Sequence, residues 1–175
     1  MRVFGIDCGT DCTGYGVVEL QEDARESRLV AVACGGLKPS RKDLLPARLA
    51  FLFAQLCDLL ASYHPDVVAV EEVFYSVNAR SALKLGHVRG IALLAAASHG
   101  IPVAEYAPLS IKSAVVGYGL ATKDQVGHMV ARLLRLDRPP ESADAADALA
   151  VAICHLHSAQ TLAAQKGKAP AGAMP

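Results

Sequence analysis

The chain opens with a short, largely apolar run, Val3 to Cys8, which predicts a buried strand. Asp11-Cys12-Thr13-Gly14 supplies turn residues, and a second run from Tyr15 to Leu20 predicts a hairpin. Arg28 to Leu37 reads as a third strand, so three strands on short polar turns make an antiparallel meander. The period then changes. Leu45, Leu49, Leu52, Leu56, Leu59 and Tyr63 follow steps of three and four, the spacing of an amphipathic helix. His64-Pro65-Asp66 stops it, because proline cannot continue a helix. Val67 to Glu71 predicts another buried strand. A long helix follows, with Asn78 as its N-cap, Ser98 near its end and Gly100 closing it. Pro102 to Tyr106 predicts the fifth strand, and helices are expected over 108–116, 122–136 and 143–159. From about Leu162 small residues, lysines and prolines predict a flexible tail, 161–175, after a single domain over 1–160. No internal repeat is visible.

The order β-β-β-α-β-α-β-α places the chain in the α/β class, with a mixed five-stranded sheet flanked by helices. Ligands of such sheets gather beyond the strand ends, where connections diverge. That directs attention to the acids there. Asp7 ends the first apolar run and Glu71 ends the run Val67-Val68-Ala69-Val70 in the same manner. Taken singly, each is as readily a solvated strand end. Asp144 and Asp147, three apart, share one face of the last helix. Acids in a first helical turn also favour the helix dipole. Yet their neighbours are Ala, Leu, Val and Ile, and acids on a mostly buried helix need a partner charge. A divalent cation is one such partner. Two strand-end acids plus a helical pair suit two-metal phosphoryl chemistry, with Mg²⁺ as the oxygen-seeking ion and Mn²⁺ as a plausible substitute. Sheet and acids together point to an RNase H-like nuclease.

Composition narrows the rest. A chain of 175 residues with 53% hydrophobic and 19% charged residues is globular and long enough to bury roughly 70% of its unfolded surface. Trp is absent and aromatics are 5%, which argues against broad stacking platforms for single strands. The net charge is zero, but residues 74–135 hold seven basic groups against two acidic ones. Such a bipolar chain can turn a basic face to phosphates. The most apolar stretch, Ile91 to Ala97, is far short of about 18 residues, and Asp7 interrupts any signal-peptide core; no membrane association and a cytoplasmic location are expected. The five cysteines, Cys8, Cys12, Cys34, Cys57 and Cys154, form no CxxC pair and read as free thiols. Cys8-x3-Cys12 lacks a second ligand pair for zinc. His155 and His157 point to different sides of their helix and read as ordinary surface or core residues.

Several segments carry a resemblance. Gly5-Ile6-Asp7-x-Gly9, Thr13-Gly14-Tyr15-Gly16-Val17, Glu71-x-Val73-Phe74, Asn78-x-x-Ser81-Ala82-Leu83-Lys84-Leu85-Gly86, Val115-Val116-Gly117 and Asp144-Ala145-Ala146-Asp147-Ala148-Leu149-Ala150 occur in that order. Together they resemble the RuvC-type Holliday junction resolvases from about Arg2 to His157. The resemblance implies a homodimer that resolves four-way DNA junctions by paired nicks, leaving 5′-phosphate and 3′-hydroxyl ends. It implies Asp7, Glu71, Asp144 and Asp147 as the catalytic acids holding two metal ions, and RuvA–RuvB as branch-migration partners. It also implies phosphate contacts from Lys112 and Lys123 and a base contact from Phe74; Lys84 and Arg89 are candidate backbone contacts. Relatives commonly carry proline where this chain has Cys8, which predicts a less restrained backbone at Asp7.

Rival readings differ in class. An actin-like sugar kinase or ATPase shares the Gly-Ile-Asp-x-Gly-Thr pattern, but it needs a second domain and gives Asp144 and Asp147 no role. A non-catalytic junction-binding module would be expected to have lost an acid, and all four are present. An RNase H-like nuclease acting on RNA or hybrid duplex remains a third alternative.

Overall fold

The structure, a computed structural model, describes residues 1–22, 26–72 and 79–167, without the side chains of Arg80 and 162–167. Its elements follow the hydrophobic pattern closely. Strands β1 (Arg2–Asp7), β2 (Thr13–Glu22) and β3 (Ser27–Leu37) form the meander, followed by helix α1 (Leu45–Tyr63), strand β4 (Val67–Glu71) and helix α2 (Ala79–Ser98). Strand β5 (Val103–Tyr106) and helices α3 (Pro108–Val116), α4 (Lys123–Leu133) and α5 (Ala143–Gly167) complete the chain. The sheet order is β3-β2-β1-β4-β5: antiparallel across β3, β2 and β1, parallel across β1, β4 and β5. This is the expected mixed sheet.

Side chains alternate across a strand, and here the alternation sorts two cores. Phe4, Ile6, Val17, Val68 and Val70 pack with α1 and α2 through Leu52, Leu56, Leu60, Val88 and Ala92. Val3, Val18, Leu20 and Ala69 face the other way, against α3, α4 and α5 through Ile111, Val115, Val126, Val130, Leu149 and Ile153. Helix α1 is long and apolar enough to cross a membrane by length and composition, but Leu52, Leu56 and Leu60 are buried in the first of these cores. It ends where proline requires, with His64 in left-handed backbone at φ 46°. Gly100, at φ 66°, follows α2 in the same conformation.

Helix α5 lies directly on β1 and β2, and glycine makes that approach possible. A Cβ added to Gly5 would stand 2.1 Å from Ala148 O; one on Gly14 would stand 2.0 Å from Asp144 O. One on Gly16 would meet Leu149 N at 2.7 Å. No side chain fits at these three positions. The helix also runs on to Gly167, past the boundary near 159 expected from the pattern. Ala, Gln and Lys, which dominate 159–166, are strong helix formers, so the segment continues the helix it is joined to. Residues 168–175, Phe74 and the expected N-cap Asn78 lie outside the described residues.

Candidate active site

Asp7 and Glu71 are the last residues of two neighbouring parallel strands whose register pairs Ile6 with Val70. Parallel strands end on the same side, so the two acids stand next to each other at one sheet edge. Alternation decides their face. Asp7 follows Val3 and Gly5, and Glu71 follows Ala69, all on the side covered by α5. Asp144 sits in the first turn of α5 and Asp147 one turn later. The glycine contact at Gly14, which pairs with Asp7 across β1 and β2, brings this helix end over the strand acids.

One pocket of about 260 Å³ collects Asp7, Glu71 and Asp147 with Lys112, Lys123, Pro108, Ile111 and Val126. Lys123 Nζ donates to Asp147 Oδ2 at 2.5 Å, so one acid already has a cationic partner. Asp7 has none within hydrogen-bonding distance among the described residues, and its pKa shows the consequence. Burial, then the charges of Asp147, Glu71 and Asp144, push it from 3.8 to about 7, against the opposing pull of Lys123. Burial and Asp147 also raise the Glu71 carboxyl above its usual range, opposed by Lys123 and Lys112. The Lys123 ammonium is raised by its bond to Asp147.

These acids fit a divalent cation by their chemistry. They are hard oxygen donors, mutually repelling and only half-buried, which leaves room for water and a substrate phosphate. They do not form a closed cage: among the described residues no three His, Cys, Asp or Glu side chains draw together tightly enough to enclose an ion. An open arrangement is the one expected where the substrate supplies the remaining ligands.

The other candidates separate. Lys112 and Lys123 join the pocket, whereas exposed Lys84 lines a different depression with Thr10, Asp11, Asp43 and Arg48. Arg89 is drawn inward. Its guanidinium pairs with Glu105 of β5, and its Nε donates to Glu71 O at 3.4 Å, so it braces the end of β4 from behind. Sequence reading named Arg89 a candidate DNA-backbone contact; the β4–β5 register that sets Glu105 beside α2 gives it a partner within the fold. Cys8 packs against the α1–α2 core, and burial pushes its thiol up to about 12. It fills a core position there. His155 bonds to the Tyr106 hydroxyl at 2.8 Å and His157 Nδ1 donates to Ala114 O at 2.9 Å, so each is satisfied within the fold. All five cysteines are free thiols.

A mixed five-stranded sheet with an acidic pocket at the ends of β1 and β4 defines an RNase H-like fold of the resolvase kind. Residues 3–155 match the family model of crossover junction endodeoxyribonuclease RuvC. A protein of that name from Acidobacterium capsulatum is 62% identical over 171 residues, covering 96% of this chain and 100% of its own length. One from Koribacter versatilis is 56% identical, covering 97% and 100%. The solved structure of Thermus thermophilus RuvC superposes with a TM-score of 0.83 at 34% identity, covering 92% of this chain and 96% of its own. The T. thermophilus protein in complex with Holliday junction substrate gives 0.83 at 31%. This chain belongs to the RuvC family of crossover junction endodeoxyribonucleases. Divalent metal use comes with that membership.

Proposed function

We propose that this Holliday junction-resolving endonuclease cuts its substrate at the pocket of Asp7, Glu71 and Asp147, with Asp144 beside it at the start of α5 as the fourth acid, and with Mg²⁺ as the metal, two ions per site. The observation that carries the reading is Asp7: a half-buried carboxyl crowded by three others and pushed up to about 7. A fold keeps such repulsion where function uses it. Bound divalent cations would relieve it and would supply charge against the phosphoryl oxygens and a more acidic attacking water.

The chain's own residues do the remaining work. Asp7 and Glu71 are fixed by the strand ladder, and Asp147 by a helix seated on that ladder, so the donors are held before substrate arrives. Lys112 and Lys123, on either side, attract the scissile strand and neutralise its phosphates. Ile111, Val126 and Pro108 line the floor and reduce competing solvent around the charges. Water attack on the phosphodiester then leaves a 5′-phosphate and a 3′-hydroxyl. A homodimer would place two such pockets on opposed strands, giving paired nicks, and family membership supports RuvA–RuvB as the branch-migration partners.

Replacing Asp7 by Asn removes a charge while nearly preserving shape. Cleavage of a synthetic four-way junction should fall by orders of magnitude with junction binding retained, and EDTA should do the same to the wild type. An Asp7→Asn protein that still cut at near the wild-type rate would remove Asp7 from the site.

A further inference from the structure

The turn between α3 and α4 is fastened at both ends and bare in the middle. Gly117 closes α3 in left-handed backbone at φ 94°, with its N–H donating to Ser113 O. At the other end Thr122 and Gln125 form a reciprocal capping box on α4. Gln125 Oε1 also accepts from the Tyr118 hydroxyl at 2.9 Å, tying the turn to the same cap. Ala121 is buried in the core beneath. Between these anchors Leu120 is 86% exposed, more than any other large hydrophobic among the described residues, with half-exposed Leu109 and Tyr118 nearby. Gly119 lies against Leu109, its added Cβ 3.4 Å from Leu109 Cδ2, so the turn and the start of α3 form one apolar rim.

Position suggests what this rim meets. Pro108, Ile111 and Lys112 on one side of the turn, and Lys123 and Val126 on the other, line the carboxylate pocket. Leu120 is three residues from Lys123, whose ammonium reaches Asp147, so their Cα atoms lie within about 10 Å. That distance spans roughly three stacked nucleotides of one strand. The apolar tip is therefore within reach of a strand seated between Lys112 and Lys123.

We propose that the Tyr118–Leu120 turn is a preformed apolar wedge that contacts the bases beside the scissile phosphate and holds them unstacked. The proposal rests on cleavage occurring at the carboxylate pocket. Leucine is among the side chains that proteins insert between base steps, and unstacking costs least where a stack is already interrupted, as at a branch point. A tip tied down at Gly117, Tyr118 and Thr122 has little freedom left to lose on binding. The flanking lysines favour a nucleic-acid strand over an apolar protein segment as the occupant.

The test compares wild type, Leu120→Ser and Leu120→Met on an intact four-way junction and on one with mismatched, already open bases beside the scissile phosphate. Cleavage is followed under single turnover with Mg²⁺, and base unstacking by fluorescence of 2-aminopurine at the junction centre in EDTA. Leu120→Ser should cut the intact junction about ten-fold more slowly, cut the pre-opened junction at close to the wild-type rate, and lose most of the fluorescence rise. Leu120→Met should retain all three wild-type readings. Thermal melting of both variants should match wild type, since the residue is exposed; should Leu120→Ser melt early, Leu120→Ala takes its place. A full fluorescence rise with an unchanged rate on the intact junction overturns the wedge, and so does an equal slowing on both substrates. Failure of the carboxylate assignment shows differently, as an Asp7→Asn protein that still cuts both.

Discussion

Asp7 carries the largest electrostatic cost at the site, and its sign can be followed with pH. Its carboxyl titrates near 3.8 unfolded and at about 7 folded, so between these values the folded chain holds more proton. Stability of the metal-free protein should therefore fall as pH rises from about 4 to about 7, with the cost absent below that window and complete above it. The size is a few kcal/mol at most. Asp7→Asn removes this contribution. In EDTA the melting difference between variant and wild type should grow from near zero at pH 4 to several degrees in the variant's favour at pH 8, at about 2–4 °C per kcal/mol. A difference that stayed flat across that range would detach the repulsion from Asp7. The two lysines report through salt. If Lys112 or Lys123 neutralises a phosphate, its replacement by Gln should lower the slope of log affinity against log salt by about 0.9 on duplex arms. An unchanged slope with unchanged cleavage would place that lysine on a solvated face.

At the scale of elements, the decisive contact is α5 against β1 and β2. It puts Asp144 and Asp147 over the strand acids, and it depends on glycines whose missing side chains admit helix backbone. Gly5→Ala places a methyl 2.1 Å from Ala148 O, so the helix must move away. Overpacking of this kind costs about 1–3 kcal/mol. Melting temperature and junction cleavage should fall together, because the same shift that relieves the clash separates Asp147 from Asp7. Wild-type stability and rate in Gly5→Ala would show that the approach is looser than the backbone indicates. Arg89 belongs to this scale too: its bonds to Glu105 and Glu71 O tie α2, β5 and β4 together behind the pocket.

For the whole molecule, one pocket of this size breaks one strand per encounter, whereas resolving a four-way junction takes two cuts. Two-fold symmetry, the commonest oligomer symmetry, matches two equivalent opposed strands. The protein is expected to run as a dimer by light scattering and to bind a four-way junction far more tightly than a linear duplex of identical sequence. A strict monomer that bound both alike would point to a general nuclease. Selectivity for shape is the expected outcome, since the lysines lining the pocket offer charge suited to phosphates and no base pattern.

The sequence by itself determined the elements, their order and the candidate acids. Val67–Glu71 and the helix over 108–116 match the structure residue for residue, because period and punctuation are local properties of the chain. Asp7 and Glu71 were legible as candidates because a charge ending an apolar run is costly wherever the run is buried, and Asp144 and Asp147 because acids three apart on an apolar helix need a partner charge. Tertiary structure decided what depends on two segments meeting. Strand register set Asp7 beside Glu71, and glycine contacts set α5 above them. The Glu105 pair gave Arg89, a candidate backbone contact by sequence, a bracing role within the fold, and Lys84 came to line a different depression from Lys112 and Lys123. Cys8, expected to loosen the backbone at Asp7, was found just past the end of β1 with its partly buried side chain packed against the α1–α2 core. Spacing along a chain fixes which face a side chain takes; which charge waits on that face is set by another part of the chain, and only packing brings the two together.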